Sequence, residues 1–252
     1  MSQLSEYLAT AKRAALEAGK ILAARGEDVS GIVAAEGRDI KLVADKAAEK
    51  VILSILSDET DIPALSEETG WTAAEEDTVW VVDPLDGSAN YNREIPLCCV
   101  SIALVQKGRP VLGVICDFNH NDLFSGIVGE GAWKNDKPMS VTSIDDTKKG
   151  ILFTGLPLNS DFSNEALSAF AVGLAKWKKV RMIGSAATSI TQIACGKGDR
   201  YHENGIMIWD VAAGCALTEA AGGRYYISPG PLDEPKLVVA DNGKLPPEPF
   251  ET

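Results

Sequence analysis

The densest chemical signal in the sequence is Asp83-Pro84-Leu85-Asp86-Gly87-Ser88. A short β-rich run, Thr78 to Val82, delivers Asp83 to its C-terminal end. Pro84 fixes φ and Gly87 tolerates unusual φ, so the chain is expected to turn sharply here. Two carboxylates three positions apart on such a turn can converge on one small volume. Like charges that close do not both stay ionised unless a cation lies between them. Hard oxygen ligands in this arrangement suit Mg²⁺, and the Leu85 carbonyl offers a further ligand. Gly87 and Ser88 then present backbone N–H groups to an incoming phosphate. An ordinary Asp-Pro turn with an Asx cap is the plainer reading of the same residues.

Other carboxylates have a suitable setting. Glu67-Glu68 follows Pro63-Ala64-Leu65-Ser66; taken alone, such a pair reads as solvated surface. Asp210 follows Trp209 at the start of a helical pattern, and Asp45 opens an earlier one. Taken alone, each reads as a cap or a helix-dipole partner. The histidines are His120 and His202, and neither sits near a nucleophile elbow or a marked cysteine. Nucleophilic hydrolysis is therefore disfavoured. Cys98, Cys99, Cys116, Cys195 and Cys215 form an odd set without a CxxC pair, read as buried thiols in a reducing compartment.

These residues need elements to carry them. Leu4, Leu8, Ala11, Ala15, Ala18, Ile21 and Leu22 trace one helical face, with Gly26 as the stop. Ala44, Ala47, Ala48, Val51, Ile52, Ile55 and Leu56 trace a second. Ser30 to Lys41 reads as a loop or short hairpin. Val100–Gln106, Val111–Asp117 and Leu123–Val128 read as an antiparallel meander, turning at Lys107–Pro110 and Asn119–Asp122. The second half alternates: strands at Ile151–Thr154, Val180–Ile183, Arg224–Ile227 and Leu237–Val239, helices at Asn164–Lys176, Ser185–Cys195 and Asp210–Ala221. The last helix is expected to bury one face, through Ala212, Ala213, Ala216, Leu217 and Ala220. A polar run at Ser143–Lys149 suggests two halves, 1–145 and 146–252, and the Pro-rich end, Pro246–Thr252, reads as loose.

The chain has 252 residues and a formal net charge of −12. An acidic surface repels nucleic acid and anionic lipid, so neither is an expected partner. No stretch of about eighteen apolar residues spans a membrane. The first 26 residues lack the basic start and uninterrupted apolar run of a signal peptide. A cytoplasmic enzyme is the expectation.

Together these residues resemble the inositol monophosphatase family, the lithium-sensitive Mg²⁺ phosphatases. The first motif runs from Trp80 to Tyr91 and is followed by Pro96; the second is Trp209-Asp210-Val211-Ala212-Ala213-Gly214, then Glu219 to Gly223. Gly184-Ser185-Ala186-Ala187, Gly129-Glu130-Gly131-Ala132 and Asn135 also fit. The resemblance covers essentially the whole chain. It implies a layered αβαβα sandwich, with an antiparallel-sheet N-terminal half, an α/β C-terminal half and the site between them. It also implies a homodimer. Glu67, Asp83 and the Leu85 carbonyl would hold a first Mg²⁺, and Asp83, Asp86 and Asp210 a second; a third, weaker ion would share Glu67. Asp45 and the Ser88 hydroxyl would orient the attacking water, with Glu67 also in the catalytic set. The substrate would meet Asp86, the Gly87 and Ser88 amides, Gly184, Ala186, Glu203 and Asp210. Three positions depart from the family pattern: Ser66 where Gly is usual, Ser88 where Thr is commoner, and the apolar Met207-Ile208 pair.

The implied reaction is in-line attack of water on a small phosphate monoester, most simply inositol monophosphate. Ala89-Asn90-Tyr91 stands where bisphosphate nucleotidases of this superfamily carry Lys-Glu-Phe. A bisphosphate nucleotidase and a fructose-1,6-bisphosphatase are the enzyme alternatives. A regulatory, partner-binding protein that keeps the fold is the non-enzyme one.

Overall fold

Two helices with small, apolar inner faces open the chain. α1 (Gln3–Ala24) is capped by Ser2, whose hydroxyl accepts from the Ser5 N–H. Ala11, Ala14, Ala15, Ala18 and Leu22 are buried on it, and their small size lets α2 (Val43–Glu59) pack closely. α1 ends at Ala24, with Arg25 in the left-handed region. The structure is a computed structural model that describes residues 2–25, 32–36, 39–157 and 160–247. Gly26, read as the helix stop, lies outside them, as does the end of the Pro-rich tail. Between the helices a hairpin, β1 (Ile32–Glu36) and β2 (Asp39–Leu42), fills the segment read as loop or hairpin.

An eight-stranded sheet follows: β3 (Ala64–Ser66), β4 (Gly70–Trp71), β5 (Thr78–Asp86), β6 (Cys99–Gln106), β7 (Arg109–Asp117), β8 (Asp122–Ile127), β9 (Gly131–Lys134) and β10 (Lys137–Pro138). Its order is β10-β9-β8-β7-β6-β5-β3-β4. Every pairing is antiparallel except β3 with β5. A short helix, α3 (Ser88–Asn92), interrupts the run after β5. Lys107 and Gly108, both with positive φ, make the β6–β7 turn, which is tighter than the four residues read from sequence.

The second half runs β11 (Ile151–Thr154), α4 (Asn164–Leu174), β12 (Lys179–Arg181), α5 (Ala186–Ala194), β13 (Arg200–Ile206), α6 (Ile208–Ala220), β14 (Arg224–Ile227) and β15 (Lys236–Asp241); of these, β13 was not read from the sequence. The five strands form a mixed sheet, β12-β11-β13-β15-β14. β11 lies parallel to β12 and β13, whereas β15 runs antiparallel to β13 and β14.

Strand periodicity builds two cores. On β5, Trp80 and Val82 face the core shared with α1 and α2, while Val79 and Val81 face the core shared with α5 and α6. On β6, Val100, Ile102 and Leu104 alternate in the same way with Cys99, Ala103 and Val105. The layers are thus helix pair, sheet, helix pair, sheet. α4 buries none of its residues. α6 corrects the one-faced reading. Every residue from 211 to 218 is buried, because the helix is packed by the large sheet on one side and by α5 and the small sheet on the other. A helix buried all round loses its amphipathic period.

α6 reaches the sheet by a close backbone approach. A Cβ placed on Gly113 of β7 would lie 2.3 Å from the Ala213 carbonyl oxygen. Backbone cannot step aside as a side chain can. Gly113→Ala should therefore destabilise the protein by about 3 kcal/mol. Urea denaturation would read this as a lower midpoint at unchanged slope.

Candidate active site

Parallel pairing of β3 with β5 starts the site. Ala64, Leu65 and Ser66 stand beside Trp80, Val81 and Val82. The Glu67 N–H then donates to the Val82 carbonyl at 3.1 Å. One further step of this register sets Glu67 beside Asp83, at the C-terminal ends of two neighbouring strands.

β5 does not stop at Val82, as the sequence suggested, but continues through the motif as a bulge. Asp83 pairs with Ser101 and Asp86 with Cys99, so Pro84 and Leu85 oppose the single residue Val100. The extra residue bends the strand. The Leu85 N–H donates to Asp83 Oδ1 at 2.9 Å, so the plain Asx-turn reading is also true of this motif. Gly87 has φ 87°, and a Cβ there would lie 2.9 Å from the Leu97 carbonyl oxygen. Only glycine fits both conditions.

The N-terminus of α5 closes on this bend from the other half of the chain. Asp86 accepts from the Ser185 hydroxyl, from the Ala187 N–H at 2.8 Å and from the Ala186 N–H at 3.3 Å. These are first-turn donors with no intrahelical partner. The Asn90 side chain ties α3 to the same place, donating to the carbonyls of Leu97 and Ile183 at 2.8 Å each. Gly184, between Ile183 and Ser185, has φ 74°.

Asp210 arrives in the first turn of α6, where its Oδ2 accepts from the Met207 N–H at 3.2 Å. Ser101 of β6 anchors that helix start by donating to the Trp209 carbonyl. Oxygen atoms of Asp83, Asp86 and Asp210 lie within 4.8 Å of one another. Burial pushes the Asp83 pKa well up, and the charges of Glu67, Asp86 and Asp210 push it further. Asp210 is raised by burial, then by Asp86, Glu67 and Glu203. For Asp86 burial wins over its donors and lifts the carboxyl to about 6.

These groups line a cavity of about 580 Å³ with Glu67, Leu85, Gly87, Ser88, Gly184, Ala186 and Glu203. Glu203, which could have been a surface residue, is 8% exposed on β13. Its Oε2 accepts from the Tyr201 hydroxyl at 2.5 Å, and burial raises its pKa to about 7. A Cβ on Gly155 would lie 2.3 Å from Glu203 Oε1, so glycine makes room for this carboxylate. Sequence reasoning did not single out Gly155, Thr154, Met182 or Tyr201. The alternation of Tyr201 with Glu203 is the signal that could have found one of them. Asp45 lies outside the cavity lining; it is buried in the first turn of α2.

The donor set fits a hard divalent cation. Oδ2 of Asp83 is buried and has no hydrogen-bond partner among the described residues. Several carboxylates facing one point raise one another's pKa, and a cation at that point relieves the repulsion. All the donors are oxygen, which suits Mg²⁺ rather than a thiophilic ion.

Known proteins are similar to this chain in sequence and fold. The inositol monophosphatase family model matches residues 3–245. The chain is 36% identical over 194 residues to a Xylella fastidiosa protein named Nus factor SuhB, covering 77% of this chain and 70% of that one. It is 35% identical over 232 residues to the inositol monophosphatase of Mesembryanthemum crystallinum, covering 88% and 86%. The solved inositol monophosphatase of Anabaena (Nostoc) sp. superposes with a TM-score of 0.83 at 34% identity, covering 96% of this chain and 93% of that one. The chain belongs to the inositol monophosphatase family and is a phosphoric monoester hydrolase of that type.

Proposed function

We propose that this enzyme hydrolyses inositol monophosphate, or a close hydroxyl-rich phosphate monoester, with two or three Mg²⁺ ions. The convergence of Asp83, Asp86 and Asp210 around the unpartnered Asp83 oxygen carries the proposal. Glu67, Asp83, the Leu85 carbonyl, Asp86 and Asp210 would hold the metal. Bound there, Mg²⁺ supplies charge neutralisation and lowers the pKa of water.

The chain's own groups do the rest. Gly87 and Ser88 line the cavity at the start of α3 and offer their amides to the phosphate. On the family resemblance, the Ser88 hydroxyl and Asp45 orient the water. Water attacks phosphorus directly and no phospho-enzyme is needed, which agrees with a cavity lined by neither histidine and no cysteine. Glu203, Gly184 and Ala186 meet the hydroxyl-bearing part of the substrate, and Glu203 accepts hydrogen bonds from its hydroxyls. A second phosphate there would meet carboxylate charge, which favours a monophosphate over the bisphosphate alternatives. The site draws on both proposed halves, 1–145 and 146–252. A homodimer and inhibition by lithium belong to the proposal on the family resemblance alone, and a cytoplasmic location on the sequence pattern of the first 26 residues. A purely regulatory role is disfavoured, because the repelling carboxylates are all retained.

Chelation should abolish turnover of inositol monophosphate, and Mg²⁺ should restore it. Full activity in excess chelator would sink the proposal.

Asp83→Asn should separate activity from stability. Turnover should fall by more than the ~100-fold that losing an outer-shell partner can cost. The metal-free fold should gain stability at pH 8, because a repelled, buried charge is gone. The raised folded pKa sets the sign. Well below the ordinary carboxyl pKa of about 3.9, both states hold the proton and the gain vanishes. As pH rises, the unfolded chain ionises first, and the wild type loses stability until its folded pKa is passed. Thermal melts of chelated protein between pH 4 and pH 8 would show the two curves diverging upward. Parallel curves would contradict the electrostatic account.

Glu203→Gln should raise KM for inositol monophosphate about 5- to 30-fold, equivalent to about 1–2 kcal/mol, with kcat less affected. Steady-state kinetics on mono- and bisphosphates checks it. An unchanged KM, with a bisphosphate the better wild-type substrate, would remove the inositol assignment and leave the phosphatase one.

A further inference from the structure

Outside the cavity lining, one buried carboxylate is tied to the turn that carries Glu67. Glu49 lies on α2 one helical turn after Asp45 and is 5% exposed. Its Oε1 accepts from the Ser66 hydroxyl and from the Thr69 N–H at 3.1 Å. Its Oε2 accepts from the Thr69 hydroxyl at 2.6 Å. The donors come from both sides of Glu67-Glu68, the pair at the tip of the β3–β4 hairpin. That hairpin turns over Glu67, Glu68 and Thr69 and closes at Gly70, whose φ is 72°. A three-residue hairpin loop closed by a left-handed glycine has a defined shape, but its placement on the sheet must be fixed from outside.

A buried carboxylate is costly unless donors satisfy it. Three donors do so here, and hydrogen bonds to an ionised acceptor are the stronger kind. The turn is therefore pinned to α2 at residues 66 and 69, while the Glu67 N–H is pinned to β5 through Val82. Three fixed points hold the backbone on both sides of Glu67. Glu67 lines the same cavity as Asp83, Asp86 and Asp210. Ser66, fully buried, supplies a donor that the glycine usual at this position could not.

We propose that Glu49 is a positioning residue: it clamps the Glu67–Thr69 turn to α2 and so aims the Glu67 carboxylate at the metal-binding cluster. The proposal rests on the metal reading of the site. Glu49 touches neither substrate nor metal and acts through Glu67.

The test is a double-mutant cycle read by Mn²⁺ binding to the chelated full-length protein, using calorimetry or the EPR signal of free Mn²⁺. Glu49→Gln should weaken Mn²⁺ binding by about 10-fold, the lower end of what losing an outer-shell partner costs. In a Glu67→Gln background the same change should cost less than about 2-fold, because the residue it aims is already altered. Ser66→Ala removes one donor and should weaken Mn²⁺ binding by about 3-fold at an unchanged melting temperature. Wild-type affinity in Glu49→Gln, or an equal loss in both backgrounds, overturns the proposal. If Glu49→Gln fails to fold, Ser66→Ala decides: weaker binding supports the clamp and unchanged binding overturns it. A wild type that binds no Mn²⁺ refutes the metal reading itself, an outcome distinct from failure of the clamp.

Discussion

Carboxylates that face one another across a few ångströms in a partly buried cavity repel, and most of the site can be understood as the means of holding them there. Asp83 is fully buried, and Asp86 and Asp210 stand within 4.8 Å of it. Among the described residues, no lysine or arginine lines the cavity to neutralise them. Left alone, such a cluster relaxes by taking up protons, and the raised pKa values of all three residues express that tendency. A hard cation reverses it. The same feature thus weakens the metal-free fold and gives the loaded site its affinity for a divalent ion and a phosphate.

Backbone geometry, rather than side-chain attraction, keeps the cluster together. The parallel β3–β5 register sets Glu67 against Asp83, the bulge at Pro84-Leu85 sets Asp86 near Asp83, and the first turn of α6 delivers Asp210. Helix starts do much of the compensation. Asp86 takes the free amides of α5, and Asp210 takes the Met207 amide ahead of α6. Each favours the ionised form against burial. Glycines at 87, 113 and 155 permit the close approaches that this packing demands.

Local chemistry was the legible part of the sequence. Asp83 to Ser88 alone reads equally as an Asp-Pro turn with an Asx cap, and it is the company of Glu67 and Asp210 that tips the reading to a metal site. α1, α2 and the β6–β8 meander follow from the apolar period. β13 did not: Arg200, His202, Glu203 and Asn204 break its alternation, and its pairing to β11 and β15 is invisible along the chain. Its burial turned Glu203 from a possible surface residue into a cavity wall. α6 was read as one-faced because sequence cannot say how many layers cover a helix. The Glu49 clamp joins residues about twenty positions apart through polar groups, for which no periodicity exists.

Proton release on metal binding tests the central claim most directly. Calorimetric titration of Mg²⁺ into chelated protein at pH 6, repeated in buffers of different ionisation enthalpy, counts the protons displaced. Asp86 alone titrates at about 6, and Asp83 and Asp210 are also raised well above their ordinary value. Ligands must be deprotonated to bind. The account predicts release of about one proton or more per protein at pH 6, falling as pH rises. Binding with no proton release at pH 6 would contradict it.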